Sequence, residues 1–179
     1  VVPDTIENAV RVAELSVNHK GPLYIRLGRA GIHGAGNKAT LTAIGKAAVL
    51  RKGKDCALIA IGNMVAVAEQ VAVNLAAKGI SASVINMHTL KPLDEAAVRA
   101  YAKSHRFIFS MEEHSVQGGL GSAVAEVLAE SGFSGKFERI GIPEKLDHVI
   151  GDADYLWDHY GLSAAKVTAR LLKAMKIKR

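Results

Sequence analysis

Cys56-Ala57-Leu58-Ile59-Ala60-Ile61 is an uninterrupted apolar run between Asp55 and the loop Gly62-Asn63-Met64. A run so short and so evenly apolar predicts a strand buried on both faces. An Ala/Val-rich helical pattern follows to Lys78 and stops at Gly79, the residue type that takes up the left-handed turn at a helix end. Further along, Ser81 to Asn86 reads as a strand and Asp94 to Lys103 as a helix capped by Asp94. Phe107 to Met111 is again a strand, Gly119 to Ser131 a helix and Phe137 to Gly141 a strand. A short helical stretch from Tyr155 to Tyr160 and an amphipathic helix from its N-cap Ser163 to Met175 close the chain. Short strands alternating with helices require crossover connections. A run near Thr42 to Leu50 precedes the first buried strand, and the whole predicts an α/β fold in three layers: a mostly parallel sheet of about five strands with helices on both faces and room for one antiparallel edge strand.

Upstream the pattern differs. Thr5 to Asn18 predicts a helix with Asp4 as N-cap, Glu7 completing a capping box, and an apolar stripe at Ile6, Val10, Ala13 and Val17. Gly21-Pro22 ends it, Leu23 to Leu27 alternates like a strand, and Gly28 to Gly36 is rich enough in glycine to serve as an irregular linker. The expected organisation is therefore residues 1–35 as the tail of one domain plus linker, and residues 36–179 as a second domain.

Composition narrows the function classes. The 179 residues are 49% hydrophobic and 22% charged, which supports a buried core. No apolar stretch approaches the roughly 18 residues that a membrane-spanning helix needs. The opening Val1-Val2-Pro3-Asp4 has neither a basic nor an apolar leader region, so a cytoplasmic protein is expected. A net charge of +6 invites a nucleic-acid reading, but only 5% of residues are aromatic, and part of the excess lies on one face of the last helix (Lys166, Arg170, Lys173). That is a solvated face and offers no stacking platform. The lone Cys56 reads as a core residue.

Two segments carry chemistry-bearing residues. Gly118-Gly119-Leu120-Gly121-Ser122 sits between a strand and a helix, where backbone amides can cradle an anion. It has neither the lysine of a phosphate loop nor dinucleotide spacing, so tight packing of helix on sheet is the expected role. Glu112-Glu113-His114-Ser115 precedes it at the carboxyl end of a strand, where open α/β sheets place ligands. Neighbouring strand residues point to opposite faces, so no convergent metal cluster follows, and a hydrogen-bonded loop at a subunit contact is expected. Glu112, Glu113, His114, Gly118 and Gly119 thus form a candidate interface or ligand loop. No catalytic, cofactor-binding or metal-binding residue is assigned. Ser122 and His114 make no nucleophile triad, and the other histidines lack paired spacing.

Several of these stretches together resemble one family. Pro3-Asp4 with Glu7, then Gly21-Pro22-Leu23-Tyr24-Ile25-Arg26-Leu27-Gly28-Arg29, is similar to the end of the pyrimidine-binding domain of transketolases. Gly45-Lys46-Ala47, Thr89-Leu90-Lys91-Pro92-Leu93-Asp94 and the Glu112 to Ser122 region resemble that family's C-terminal domain, in the same order. Deoxyxylulose-phosphate synthases and the β subunits of 2-oxo-acid dehydrogenases share the layout, while the Glu-Glu-His-Ser wording looks most like split transketolases. The resemblance implies transfer of a two-carbon ketol unit between phosphosugars with thiamine diphosphate and Mg²⁺ in the complete enzyme. It implies no cofactor on this chain alone, since the motifs that hold one lie upstream. It also implies partners: the missing cofactor-binding domains or subunit, a phosphosugar substrate and a second copy in a homo-oligomer, with no nucleic acid and no membrane. Arg29 matches the family's channel arginine and is the candidate substrate-phosphate ligand. Arg26 is the weaker candidate, because strand alternation sets it on the other face. With the sheet it would join missing, the first segment is expected to be loosely attached, and limited proteolysis should cut first near Gly28 to Gly36; cutting first inside the later helices would contradict that boundary.

Overall fold

The alternation appears in the computed structural model, which describes residues 1–28, 41–144 and 148–176. The elements are α1 (Ile6–Ser16), β1 (Ala48–Arg51), β2 (Cys56–Ala60), α2 (Met64–Ala76), β3 (Ala82–Asn86), α3 (Glu95–Ser104), β4 (Phe107–Ser115), α4 (Leu120–Glu130), β5 (Lys136–Ile142), α5 (Ala153–His159) and α6 (Ala164–Ala174). The strands form one sheet in the order β1-β3-β2-β4-β5. β3, β2, β4 and β5 are parallel, and β1 runs antiparallel along β3 at the edge.

Strand alternation divides the core in two. Leu58, Ala60, Val84, Phe109 and Met111 face α2 and α6, while Ala57, Ile59, Ile85 and Ile108 face α3 and α4. The handedness of the crossovers explains the division. From β2 the chain steps one way to β3 through α2; from β3 it steps back past β2 to β4 through α3, and a right-handed connection reversed in direction lands on the opposite face. The reversal leaves a crevice between the carboxyl ends of β2 and β4, the place where sheets of this kind bind ligands.

Two of the sequence expectations are corrected. The segment Leu23 to Leu27 forms no strand and joins no sheet; its backbone hydrogen bonds go to the first residue, Val1 N to Tyr24 O at 2.7 Å and Arg26 N to Val1 O at 2.9 Å. A strand needs a neighbouring strand, and none is present among the described residues. At α1 the N-cap is Thr5, whose hydroxyl accepts from Asn8 N, because Asp4 is engaged with the Asn8 side chain at 2.7 Å. The apolar stripe of α1 faces outward, with Ile6 at 67%, Val10 at 57% and Val17 at 81% exposure, and the buried residues of the helix are Asn8 and Val12. Asn8 Oδ1 accepts from Leu41 N at 2.9 Å, which ties α1 to the stretch that leads into β1.

Gly45 and the Thr89 to Asp94 stretch clasp each other. Gly45 N donates to Thr89 Oγ1 at 3.1 Å and Ala47 N to Asp94 Oδ2 at 3.0 Å, while the other oxygen of Asp94 caps α3. Gly45 lies at φ +82°, in contact range of Pro92, so a side chain there would be strained and crowded. Both stretches fasten the incoming chain to the sheet. The largest fully buried side chain, Phe109, sits on the central strand pair, and Phe109→Ala should lower the unfolding free energy by about 3–5 kcal/mol. Urea denaturation with an unchanged slope would show it; a loss below about 1 kcal/mol would mean the core collapses onto the cavity.

Candidate functional site

β4 runs four residues beyond its expected end at Met111, through Ser115, so Glu112, Glu113 and His114 lie in a strand and the loop expected there is corrected. The register against β5 shifts between Met111 and Ser115, an irregularity of the kind that interrupts regular pairing. Alternation then sends Glu112 and His114 to the α4 side and Glu113 to the α2 side.

Glu112 is only 1% exposed and lies under the N-terminus of α4. Its two oxygens accept from Leu120 N at 2.8 Å and Gly121 N at 2.7 Å. A carboxylate there meets free backbone amides and the positive end of the helix dipole. Burial nevertheless pushes its pKa up, opposed by those two amides and by Arg139. A Cβ at Gly119 would overlap the Glu112 carboxylate, so only glycine admits this contact. Arg139 Nη1 donates to Val116 O at 2.6 Å, and Gly118 N donates to Ser122 Oγ at 2.9 Å, so Ser122 serves the turn. The chain's own carboxylate thus occupies the position a ligand anion would take at this glycine loop.

On the other face Glu113 Oε1 accepts from Arg26 Nη1 at 3.1 Å, and its Oε2 accepts from Asn63 Nδ2 at 3.4 Å. Val2 packs onto Gly62, which lies at φ +57°, and its amide donates to His88 O at 2.7 Å. The carboxyl-end crevice is therefore largely filled by residues of the first segment. A cavity of about 330 Å³ remains, lined by Val2, Tyr24, Arg26, Leu90 and His114 among others. Burial, and then the charge of Arg26, lower the pKa of His114, and its Nε2 has no hydrogen-bond partner among the described residues. A larger hollow of about 530 Å³ lies at the opposite end of the sheet, beside Lys103, Arg106 and Ser131. It is flanked by the carboxyl ends of α3 and α4, whose dipoles oppose an anion.

The structure brings Glu112, Gly118 and Gly119 together, sets Glu113 and His114 on opposite faces of the same strand, and leaves Arg29 outside the described residues. Sequence reasoning missed the contacts that Asn63 and Arg26 make with Glu113. The signal for Arg26 was only its own charge, because its partner lies 87 residues away. Among the described residues no three His, Cys, Asp or Glu side chains gather as a metal site would require. Cys56 is buried, and its thiol is pushed up to about 12, which makes it inert at neutral pH.

Glu112→Ala should cost about 2–4 kcal/mol, since two buried amides lose their acceptor. In the wild type the raised native pKa means that the carboxyl favours folding most below its ordinary value and loses that advantage as pH rises through the native value. The stability of the wild type relative to Glu112→Gln should therefore fall with increasing pH across that window. Denaturation curves at several pH values test this, and a difference that rises with pH would show that the amides outweigh desolvation.

The model of the family described as "Transketolase, C-terminal domain" matches residues 45–167. A "Putative transketolase C-terminal section" of Methanocaldococcus jannaschii is 36% identical over 179 residues, covering 98% of this chain and 55% of the relative. A "1-deoxy-D-xylulose-5-phosphate synthase 1" of Geobacter metallireducens is 38% identical over 164 residues, covering 90% of this chain and 26% of its own length. A solved structure described as "Split gene transketolase, inactive beta4 tetramer" superposes with a TM-score of 0.86 at 37% identity, covering 99% of this chain and 58% of that one. A Campylobacter jejuni transketolase shares the fold, with a TM-score of 0.67 at 19% identity over 93% of this chain and 24% of its own. The chain thus spans from about a quarter to just over half the length of the proteins it matches.

Proposed function

The chain belongs to the transketolase C-terminal domain family, and from that premise we propose that it is the C-terminal part of a thiamine diphosphate-dependent transketolase. That enzyme moves a two-carbon ketol unit between sugar phosphates of the pentose phosphate class in the cytoplasm. The observation that carries the reading is the occupation of the crevice by the chain's own residues. Val2, Arg26 and Glu112 take up the positions at which an α/β sheet of this topology would hold a ligand, so the domain serves assembly and the chemistry comes from elsewhere.

Thiamine diphosphate with Mg²⁺ supplies carbanion stabilisation in such enzymes. The described residues do not fit that group: the amides at the N-terminus of α4 are satisfied by Glu112, and no carboxylate cluster is present to hold the metal. The cofactor site is assigned to the missing domains, as a partner subunit or an upstream segment. A second copy of the chain is the other partner. The outward stripe of α1 with Tyr24 and Leu27 offers apolar surface for contact with either, and the relative described as a β4 tetramer self-assembles.

From this chain the substrate receives Arg29, whose guanidinium suits a sugar phosphate. The similarity to deoxyxylulose-phosphate synthases favours a second reading, in which the module, whether of such a synthase or of a 2-oxo-acid dehydrogenase β subunit, only docks subunits and touches no substrate.

Calorimetry of the chain alone with Mg²⁺ and thiamine diphosphate should show no appreciable heat, and tight binding would overturn the division of labour. In the complete enzyme, Arg29→Ala should reduce kcat/KM roughly tenfold to a hundredfold for a phosphorylated sugar and far less for its unphosphorylated counterpart. Arg29→Lys should recover part of the loss, because a point charge replaces a fork. Equal slowing of both substrates would favour the docking module.

A further inference from the structure

The net charge of +6 is not spread evenly, because the fold gathers cations at the amino end of the sheet. Each connection that reaches this end brings at least one exposed cation: Lys52 between β1 and β2, Lys78 after α2, Lys103 and Arg106 at the junction of α3 and β4, Lys136 at the start of β5 and Lys176 after α6. The carboxylates nearby are engaged. Asp55 accepts from Ser81 N at 2.6 Å, and Glu130 shares Arg99 with Glu95. Part of the positive charge answers the fold itself, because α2, α3, α4 and α6 all end here and each carboxyl end acts as roughly half a negative charge. Lys136 does so directly, its Nζ donating to Ala174 O at 3.2 Å. Four such ends amount to about two negative charges, so most of these cations remain unanswered.

Two hollows adjoin at this end. One of about 530 Å³ is lined by Lys103, Arg106 and Gly135 among others, and the next, of about 500 Å³, by Arg106, Lys136 and Lys176. They share the wall at Arg106 and Gly135, and among the described residues neither is lined by an Asp or Glu. The shared wall is firmly built. Lys136 N donates to Arg106 O at 2.8 Å, and a Cβ on Gly135 would overlap that carbonyl and the Phe133 ring. The first segment packs at the carboxyl end of the sheet and leaves this groove uncovered. A cleft lined by one sign of charge concentrates the field and speeds capture of an oppositely charged partner. We propose that the groove is a docking surface for an acidic protein segment, a run of Asp or Glu side chains of a partner lying across Lys103, Arg106, Lys136 and Lys176. A small anion seated on the floor would meet the carboxyl ends of α3 and α4, whereas carboxylates spaced along an extended segment meet the tips of long cationic side chains at the rim. A nucleic acid would need rings on which to stack, but Phe107 and Phe133 are half-buried and Phe107 lies 5.7 Å beneath the Arg106 guanidinium. A membrane surface would call for apolar anchors, and exposed apolar side chains such as Ile6, Val17 and Ile150 belong to other parts of the chain. The proposal does not rest on the sugar-phosphate reading.

The test follows binding of fluorescein-labelled octaglutamate to the isolated chain by anisotropy. It compares the wild type with the double variant Lys103→Gln and Arg106→Gln, and with a control of equal charge change elsewhere, Lys20→Gln and Lys91→Gln. Loss of the groove pair should weaken binding roughly tenfold, and the control less than about twofold. Lys103→Gln alone, at an exposed side chain, should act in the same direction to a smaller extent. Amide chemical shifts of the wild type should move at residues 103–106 and 131–136 on adding the peptide and stay fixed at 112–121. Binding should fade with salt, as the Debye length shortens from about 30 Å at 0.01 M to about 8 Å at 0.15 M. Equal weakening by the groove and control pairs would overturn the proposal, since net charge alone would then attract the peptide. So would the absence of binding at low salt, or shifts confined to other residues. A single-stranded oligonucleotide of matched charge, phosphatidylserine vesicles or tripolyphosphate that perturbed the groove amides more strongly than the peptide would overturn it in favour of a nucleic acid, a membrane or a small anion.

Discussion

A carboxylate that hardly touches solvent must have its charge met inside the fold, and at Glu112 the N-terminus of α4 meets it. Two backbone amides and the nearby Arg139 face the two oxygens, and the contact is possible only because residue 119 has no side chain. Everything at the carboxyl end of the sheet follows from this arrangement. β4 must extend far enough to bring Glu112 beneath the helix, which carries the strand to Ser115. The turn at Gly118 must close sharply enough to start α4 there, and Ser122 and Arg139 brace it from the other side. Strand alternation then leaves Glu113 no choice of face. A single buried charge thus fixes the end of a strand, the start of a helix and the direction of the residue that meets the first segment.

Most of the sheet was legible in the sequence because its strands are short apolar runs between glycine and helix signals. β2, β3 and β5 fall within a residue or so of expectation, and Asp94 caps α3 as its position before Glu95 suggested. The antiparallel edge was legible only as a possibility, since β1 has no signal stronger than its place before the first buried strand. The limits appeared where polar residues continue an apolar strand. Nothing in Glu-Glu-His-Ser announces a strand, because the neutralising partners of Glu112 are backbone amides, and backbone amides leave no trace in composition.

The same reason hid the first segment's attachments. Thr5 displaced Asp4 as the cap because Asp4 had a better partner in Asn8, and Asn8 in turn was needed by Leu41 N. Each choice depends on a neighbour brought close by the fold, and a local capping rule weighs only residues within one turn. Arg26 was judged by the face it would take in a strand. The segment is in no strand, and its side chain is set by an acid far away in sequence. Long-range ion pairs of this sort are the least readable feature of a single sequence.

The outward stripe of α1 makes the opposite point. Ile6, Val10, Ala13 and Val17 have the spacing of a helix face that packs on a core, yet they lie on the surface while the two buried residues of the helix include an asparagine. A sequence pattern reports the environment in which a helix works, and the exposed stripe is therefore a statement about surroundings beyond these residues. The tie between Asn8 and Leu41 and the tie between Arg26 and Glu113 act on the inner side of the same segment. The segment is thus built with two working faces, polar hydrogen bonds towards the C-terminal domain and an apolar stripe away from it. Specific polar contacts fix register and angle, while apolar contacts supply area without direction. Residues 1–28 therefore hold their geometry through the polar face and leave apolar area on the other.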